Sequence, residues 1–497
     1  MDLVKKLINI TILAFWLVML GLLIERAYLR PTAVIALDVI TEEGVRTGDE
    51  WFGIYQHGRN IGYAHTSVAR EADAYHIKEE SEIDILVLGS VQRVKTVING
   101  YGTKNFLLKY FDFTMTSDMT SMDIKGAVVG KQLVLDIMTG GRTRKERVPL
   151  SEPPYITSFI KPALLLRGLE QGGKYRFPVF NPATMSTEDS SITIESKERI
   201  KVGDRHRTVY KLRETYQGME AVSWITQDGE TIKEESPLGF VLLKETMTEA
   251  LKRDKKGPAV DVIALTRISS DPIKNSAQTK YLKARLQGVV LKGFQLDGDR
   301  QTLTGDVVEI TRETRDARLL RPSTPDSKDS YRLPYSEREL GEYLQPTAFI
   351  QSDDKRIKDQ AAKVLAGEKD AREAAKKLNA WVYGSIQKKP VVSIPSALEV
   401  LSQRVGDCNE HTTLYTALAR AAGIPTRMAA GIVYMESGFY YHAWPEVWLG
   451  AWTAIDPTFN QFPADATHIR FIIGNLDRQS EILRLVGKLK MEVLEYK

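Results

Sequence analysis

The chain has almost no cysteine. Cys408 is the only one in 497 residues, so no internal disulfide can form. Histidine is scarce too, at seven. The cysteine and histidines follow no zinc-ligand spacing. Neither sign of charge is in excess: 68 Lys and Arg against 64 Asp and Glu leave a net +4. That is too little to argue for a nucleic-acid surface, so no nucleic acid is expected as a partner. There is no fixed-period repeat, which excludes a solenoid, and no EF-hand loop, which removes one common route to calcium. What remains is an ordinary globular composition, 43% hydrophobic and 27% charged,. At this length two to four domains are expected.

One long apolar run stands out. Residues 7–24 carry no charge, with Lys5 and Lys6 before them and Arg26 and Arg30 after. As a helix the run spans roughly 27 Å at ~1.5 Å per residue, enough for a bilayer core. No small-residue cleavage site follows. Residues 1–30 therefore read as a signal anchor that keeps the protein on the membrane through residues 7–24. A short N-terminus stays cytoplasmic, so the bulk of the chain is expected on the periplasmic or extracytoplasmic side. Residues 31–48 read as a tether.

Residues 49–255 have the two-residue alternation of strands. The runs 81–88, 91–98, 104–115, 121–129 and 132–138 are separated by polar turns. A partly helical insert follows Pro153-Pro154, and strands resume at 173–179, 191–200, 207–216, 220–226 and 232–235. The pattern predicts one large curved antiparallel sheet or open barrel. Residues 256–320 predict a small second β module. Residues 321–335, with Pro322 and Pro325, read as a linker. The last domain, 336–497, opens with amphipathic helices at 353–365 and 371–386.

The lone cysteine lies in Gly406-Asp407-Cys408-Asn409-Glu410-His411. Leu414, Leu418 and Ala421 repeat at helical spacing, Asp407 is a good N-cap, and Gly423 and Pro425 end the run,. Cys408 is thus expected at a helix start, where free N–H groups and the macrodipole favour a thiolate. Downstream, His442 lies in Tyr440-Tyr441-His442-Ala443-Trp444-Pro445-Glu446-Val447-Trp448, and Asp456 in Trp452-Thr453-Ala454-Ile455-Asp456-Pro457. A hairpin centred on Gly450 pairs residues whose numbers sum to 900. His442 and Asp456 then share parity and lie on one face as diagonal neighbours. A carboxylate beside an imidazole sets its tautomer, and an imidazole beside a thiol is its base.

These sub-motifs, with Leu418-Ala419-Arg420-Ala421-Ala422-Gly423-Ile424-Pro425 between them, resemble the transglutaminase-like superfamily from residue 377 to about 460. The fold and Cys-His-Asp triad of that superfamily are related to papain-like cysteine proteases. The resemblance implies Cys408 as nucleophile, His442 as base and Asp456 as orienting acid. Pro445 departs from the pattern, because proline gives no N–H to a ladder, and predicts an edge or bulged strand. Trp381 is read either as an oxyanion donor, as an upstream tryptophan is in some family members, or as a core aromatic. His411 is read as a helix-surface residue that tunes the thiol or touches substrate. Trp444, Trp448 and Trp452 either line a groove or pack in the core. The expected fold class is α+β: an N-terminal transmembrane helix, an antiparallel all-β region and a C-terminal papain-like, transglutaminase-core domain. The expected activity is thiol-dependent acyl transfer on amide or peptide carbonyls at the outer face of the membrane, ending in hydrolysis or in a glutamine–lysine crosslink. The expected partner is a protein or peptide substrate, with no metal and no cofactor. The alternative is a non-enzymatic envelope binding or scaffold protein with a vestigial fold. Oligomeric state is not readable from the sequence.

Overall fold

A computed structural model describes residues 46–313 and 331–497, apart from 72, 88, 119, 203–204, 237, 254–260, 262–266, 437 and 475. Its largest unit is one antiparallel sheet of fourteen strands. The Gly48–Gln56 strand pairs with Phe240–Glu245, Trp51 facing Glu245. From that pair the sheet runs through successive neighbours to Arg142–Pro149 on one side and Lys174–Asn181 on the other. Several strands bury alternate residues, as in Ser121–Val129, where Met122, Ile124 and Gly126 turn inward. The Thr157–Arg167 helix connects the two outermost strands and buries Phe159, Ile160, Ala163 and Leu164. They meet Phe111, Ile124, Leu135, Phe177, Ile194 and Leu212 in one core.

Two glycines allow that helix to lie close to the strands. A Cβ at Gly100 would fall on Ile156 Cδ1 and Phe159 Cζ, and one at Gly102 on the Phe159 ring. Gly100→Val should therefore force the helix outward and cost about 1–3 kcal/mol, read as a lower melting temperature. An unchanged melting temperature would mean that the contact is not close.

The edge of this sheet braces the C-terminal region. Arg142 donates to both carboxylate oxygens of Asp353, at 3.0 and 2.7 Å, and the Thr139 hydroxyl donates to Glu399 at 3.1 Å. Beyond this contact the helices Lys355–Leu365, Ala371–Ser385, Ala397–Gln403 and Cys408–Ala421 share a core containing Leu378, Val382, Leu414 and Leu418. Against them lies a five-stranded sheet in the order Ile268–Ser269, Gly438–Trp448, Thr426–Met435, Ile469–Ile473, with Trp452–Ala454 also paired to Gly438–Trp448. A four-stranded sheet takes Gln301–Thr304, Val307–Thr311 and Tyr281–Gln287 together with the C-terminal strand Lys490–Tyr496. Its residues Leu282, Val308 and Ile310 share a core with Ile432, Phe439 and Phe471.

Two expectations are corrected. The described residues do not form the α+β protein that the sequence suggested, and no N-terminal transmembrane helix is among them. Among the described residues the chain is mostly β, because fourteen strands of one sheet precede the C-terminal helices and more strands surround those helices. The single-pass membrane placement, with its periplasmic or extracytoplasmic side, is corrected as well: no helix among the described residues is long and apolar enough to cross a membrane. Residues 7–24, on which that placement rested, lie outside the described residues, as do most of the tether and of the linker.

Candidate active site

Asp407 caps the Cys408–Ala421 helix. Its side chain accepts from the Asn409 N–H at 3.0 Å, and Glu410 reaches back to the Asp407 N–H at 2.8 Å, the reciprocal arrangement of a capping box. Cys408 is thereby held in the first turn. The helix is laced to the Gly438–Trp448 strand at one residue, Ala443. Its N–H donates to Cys408 Sγ, and its carbonyl accepts from the Thr412 hydroxyl at 3.0 Å. These backbone groups are available because the strand has a gap on one side. Ile268–Ser269 covers only Gly438 and Phe439, and Trp452–Ala454 begins its pairing at Glu446. The thiol therefore meets the strand one residue from His442.

The hairpin has the predicted register: Glu446 faces Ala454 and Trp448 faces Trp452. His442 Nε2 lies 2.8 Å from Asp456 Oδ2, and both side chains are buried. Asp456 Oδ1 accepts the N–H groups of Thr458 and Phe459 at 2.6 and 3.2 Å. The Phe459 ring stacks on the His442 imidazole, centroids 5.0 Å apart and planes 7° apart. The Cys408 helix, the His442 strand and the Asp456 loop thus adjoin one another.

Residues 358–457 match the model of the transglutaminase-like superfamily. Cys408, His442 and Asp456 all fall inside that span. No curated protein matches the chain. Among solved structures, one from Cytophaga hutchinsonii, provisionally described as a cysteine protease, is 15% identical, with 44% of this chain and 87% of that chain covered at a TM-score of 0.27. A β-barrel-like protein of a domain of unknown function from Brucella abortus is 7% identical, with 40% and 94% covered at 0.31. Another provisionally described protease, from Parabacteroides distasonis, is 10% identical, with 56% and 69% covered at 0.19.

The electrostatics of the transglutaminase-like segment differ from the expectation in one respect. Burial pushes the Cys408 thiol well above its ordinary value, and the carboxyl groups of Asp407, Glu410 and Asp456 add to the effect. The helix dipole, worth about 0.3–1 kcal/mol, does not outweigh this. Burial thus opposes the standing thiolate that the helix start by itself would favour,. Glu410 is itself held well above the usual carboxylate range by burial and by Asp407. Burial opposes charge on Asp456 too, yet the imidazoles of His442 and His468 hold it well below that range.

His468 is the residue that the sequence reading did not place. It opens the Ile469–Ile473 strand and is fully buried. Its Nε2 lies 3.0 Å from Asp456 Oδ2, the same oxygen that faces His442, and its Nδ1 lies 3.2 Å from Asp465 Oδ1. Burial works against its charge, but Asp465 and Asp456 raise it to about 9. The one signal in the sequence is Asp465-Ala466-Thr467-His468, an acid three residues before a lone histidine that leads an apolar run. His442, Asp456 and His468 bring one ligand atom each within 4.8 Å of one another, a grouping that could hold a cation. The distances of 2.8 and 3.0 Å from one oxygen to two ring nitrogens are those of hydrogen bonds,.

The remaining candidates divide. His411 is fully buried rather than on the helix surface, because the helix faces strands as well as helices. Its Nδ1 lies 2.6 Å from the Asp407 carbonyl, and burial lowers its basicity. Trp444 is buried, its ring set edge-on to His468 with centroids 5.2 Å apart. It forms a wall of the site, not an open groove. Trp448 and Trp452 pack on each other, and Arg427 covers Trp452 at 4.1 Å. Trp381 lies under the Arg404 guanidinium at 4.6 Å and lines a surface groove with Lys363 and Lys377.

Pro445 sits where its strand is open on one side, between the pairing of Ile268–Ser269 at Gly438–Phe439 and that of Trp452–Ala454 from Glu446, and no bulge breaks its pairing with Thr426–Met435. Its carbonyl accepts from the Ile455 N–H at 3.0 Å. In an antiparallel strand the N and O of one residue point the same way. The missing N–H therefore faces the end of the short Trp452–Ala454 partner, and pairing with Thr426–Met435 is not interrupted.

Proposed function

We propose that this protein is a thiol-dependent enzyme of acyl transfer, acting on amide or peptide carbonyls of a protein or peptide substrate. The match to the transglutaminase-like superfamily supports thiol chemistry in this segment. The observation that carries the reading is the chain of contacts from the Asp456 carboxylate to His442 Nε2, and from the neighbouring Ala443 N–H to Cys408 Sγ.

The geometry suggests how the groups divide the work. Nε2 of His442 is engaged by Asp456, which leaves Nδ1 as the nitrogen to take the thiol proton. The proton moves to Nδ1 as Sγ bonds to the carbonyl carbon. The carbonyl π electrons move to oxygen, where the Cys408 N–H, without an acceptor inside its own helix, is a donor. The imidazolium then gives its proton to the amine as the C–N bond breaks, leaving a thioester. Water or a primary amine next attacks that thioester, His442 accepting its proton and returning it to the departing sulfur. Water yields the acid, and an amine yields a new amide. Which acceptor wins depends on how well the closed site excludes water.

The test is to incubate the protein with a glutamine-rich protein and a labelled primary amine, and to follow amine incorporation, glutamine deamidation and peptide cleavage by mass spectrometry. Any of the three, absent in Cys408→Ala, supports the proposal. None of them, across a panel of protein and peptide substrates, contradicts it.

A further inference from the structure

The Asp456 carboxylate serves two imidazoles at once. Its Oδ2 faces His442 Nε2 at 2.8 Å and His468 Nε2 at 3.0 Å. A triad acid that only orients its histidine needs one such contact. The second comes from the residue just before the Ile469–Ile473 strand and is itself backed by a second acid. Asp465 faces His468 Nδ1 and is fixed by three further donors: the Thr467 N–H and hydroxyl at 2.8 and 2.6 Å, and the Gln461 amide at 2.7 Å. Both ring nitrogens of His468 thus face carboxylates, and a histidine bonded to two carboxylates carries a proton on each nitrogen.

We propose that His468 is a positioning residue for the triad: held between Asp465 and Asp456, it places a fixed positive charge beside the triad acid and so keeps His442 an uncharged base until the thiol gives up its proton. This inference rests on the acyl-transfer reading of the same site.

The charge balance supports it. With His468 uncharged, the buried Asp456 and Asp465 carboxylates would have no matching charge beside them, and His442, which faces Asp456, would be drawn to take a proton and be unable to accept one from Cys408. His468 answers one of the two charges permanently. The other charged groups around it do not remove this role. Arg300 donates to the carbonyls of Ala464 and Asp465 at 3.2 and 2.5 Å and is ion-paired with Glu313 at 3.2 Å. Arg312 donates to the Pro463 carbonyl at 2.7 Å. Both address backbone oxygens of the loop rather than the carboxylate between the two histidines. Lys388 feels Asp456 without a hydrogen bond to it. Trp444 and Phe459 complete the surround with ring contacts of 5.2 and 6.4 Å to His468.

The experiment uses Cys408 as its own reporter, since it is the only thiol in the chain. The iodoacetamide alkylation rate is measured from pH 5 to 10 in the full-length protein and in His442→Ala, His468→Gln and Asp465→Asn. In the wild type, alkylation should rise along a limb that His442→Ala removes. His468→Gln keeps a donor to Asp456 but not the charge. Its His442-dependent limb should move upward by about one pH unit or more, as expected for losing a unit charge on a ring whose centroid is 5.6 Å away,. Asp465→Asn lets His468 lose its proton more easily and should move the limb in the same direction. It serves as the test if His468→Gln does not fold. A limb that stays in place in both variants, even with a lowered melting temperature, overturns the proposal and leaves His468 a structural residue. A wild-type profile with no His442-dependent limb is a different outcome, overturning the acyl-transfer reading and this inference with it.

Discussion

Replacing Cys408 by alanine should abolish acyl transfer while leaving the protein folded. Cys408 is half-buried at the first turn of its helix, and the bonds that define that turn are made by its neighbours: Asp407 to Asn409, Glu410 to Asp407, Thr412 to Ala443. Losing one sulfur there removes a single accepted bond, so stability should change by about 1 kcal/mol or less. Activity should fall by 10³-fold or more, to whatever binding and the oxyanion donors supply. Cys408→Ser should be nearly as inactive, because a hydroxyl is a far weaker nucleophile when its only activation is a neutral imidazole. Product formation and melting temperature, measured on the same preparations, check the point. Retained activity in Cys408→Ala would remove the cysteine from the mechanism.

The second large effect is expected at Asp456. Asp456→Asn preserves shape but not acceptor count. The carboxylate receives four donors: His442 and His468 on Oδ2, and the N–H groups of Thr458 and Phe459 on Oδ1. An amide has one oxygen, so either the two imidazoles or the two backbone groups lose their acceptor and face an NH₂ instead. His442 then loses its tautomer and orientation, and a drop of about 10⁴-fold in turnover is expected by analogy with a Ser-His-Asp triad whose acid is changed to Asn. His468 is left charged with only Asp465 beside it, and breaking a buried pair in this way costs about 3–5 kcal/mol.

The same network sets a pH signature. Asp456 is held below its ordinary range, so its contribution is present above the unfolded carboxylate value, about 3.9, and lost as pH falls through the lower folded value. His468 is raised to about 9, so its contribution is complete below the unfolded imidazole value, about 6.5, and lost as pH rises through about 9. Both are complete between about pH 4 and 6.5. Wild-type melting temperature should therefore fall between pH 6.5 and 9 more steeply than that of Asp456→Asn.

Local signals carried much of this organisation into the sequence. The capping pattern around Asp407 marks the start of the Cys408 helix, since it depends on residues within one turn. The Gly450 hairpin announces its register through turn length, which is why His442 and Asp456 can be paired on paper. Features that depend on distant partners were not legible. Arg142–Pro149 has no apolar alternation because it is an edge strand that alternates half-buried with exposed residues. Lys490–Tyr496 pairs with Tyr281–Gln287 across some two hundred residues of chain. His468 reaches Asp456 only because Ile469–Ile473 pairs with the far side of Thr426–Met435. Burial raises the Cys408 thiol, against the direction of the helix-dipole argument, because desolvation is set by tertiary packing that no local pattern records.

The most direct measurement is of the acyl-enzyme itself. The protein, mixed with an activated ester such as a nitrophenyl acetate, is quenched in acid and weighed by mass spectrometry, with the modified residue located by digestion. The account predicts a single acetyl group on Cys408, formed rapidly in the wild type and far more slowly in His442→Ala. A wild-type protein that gains no acyl group on Cys408, or gains it equally fast without His442, would contradict it.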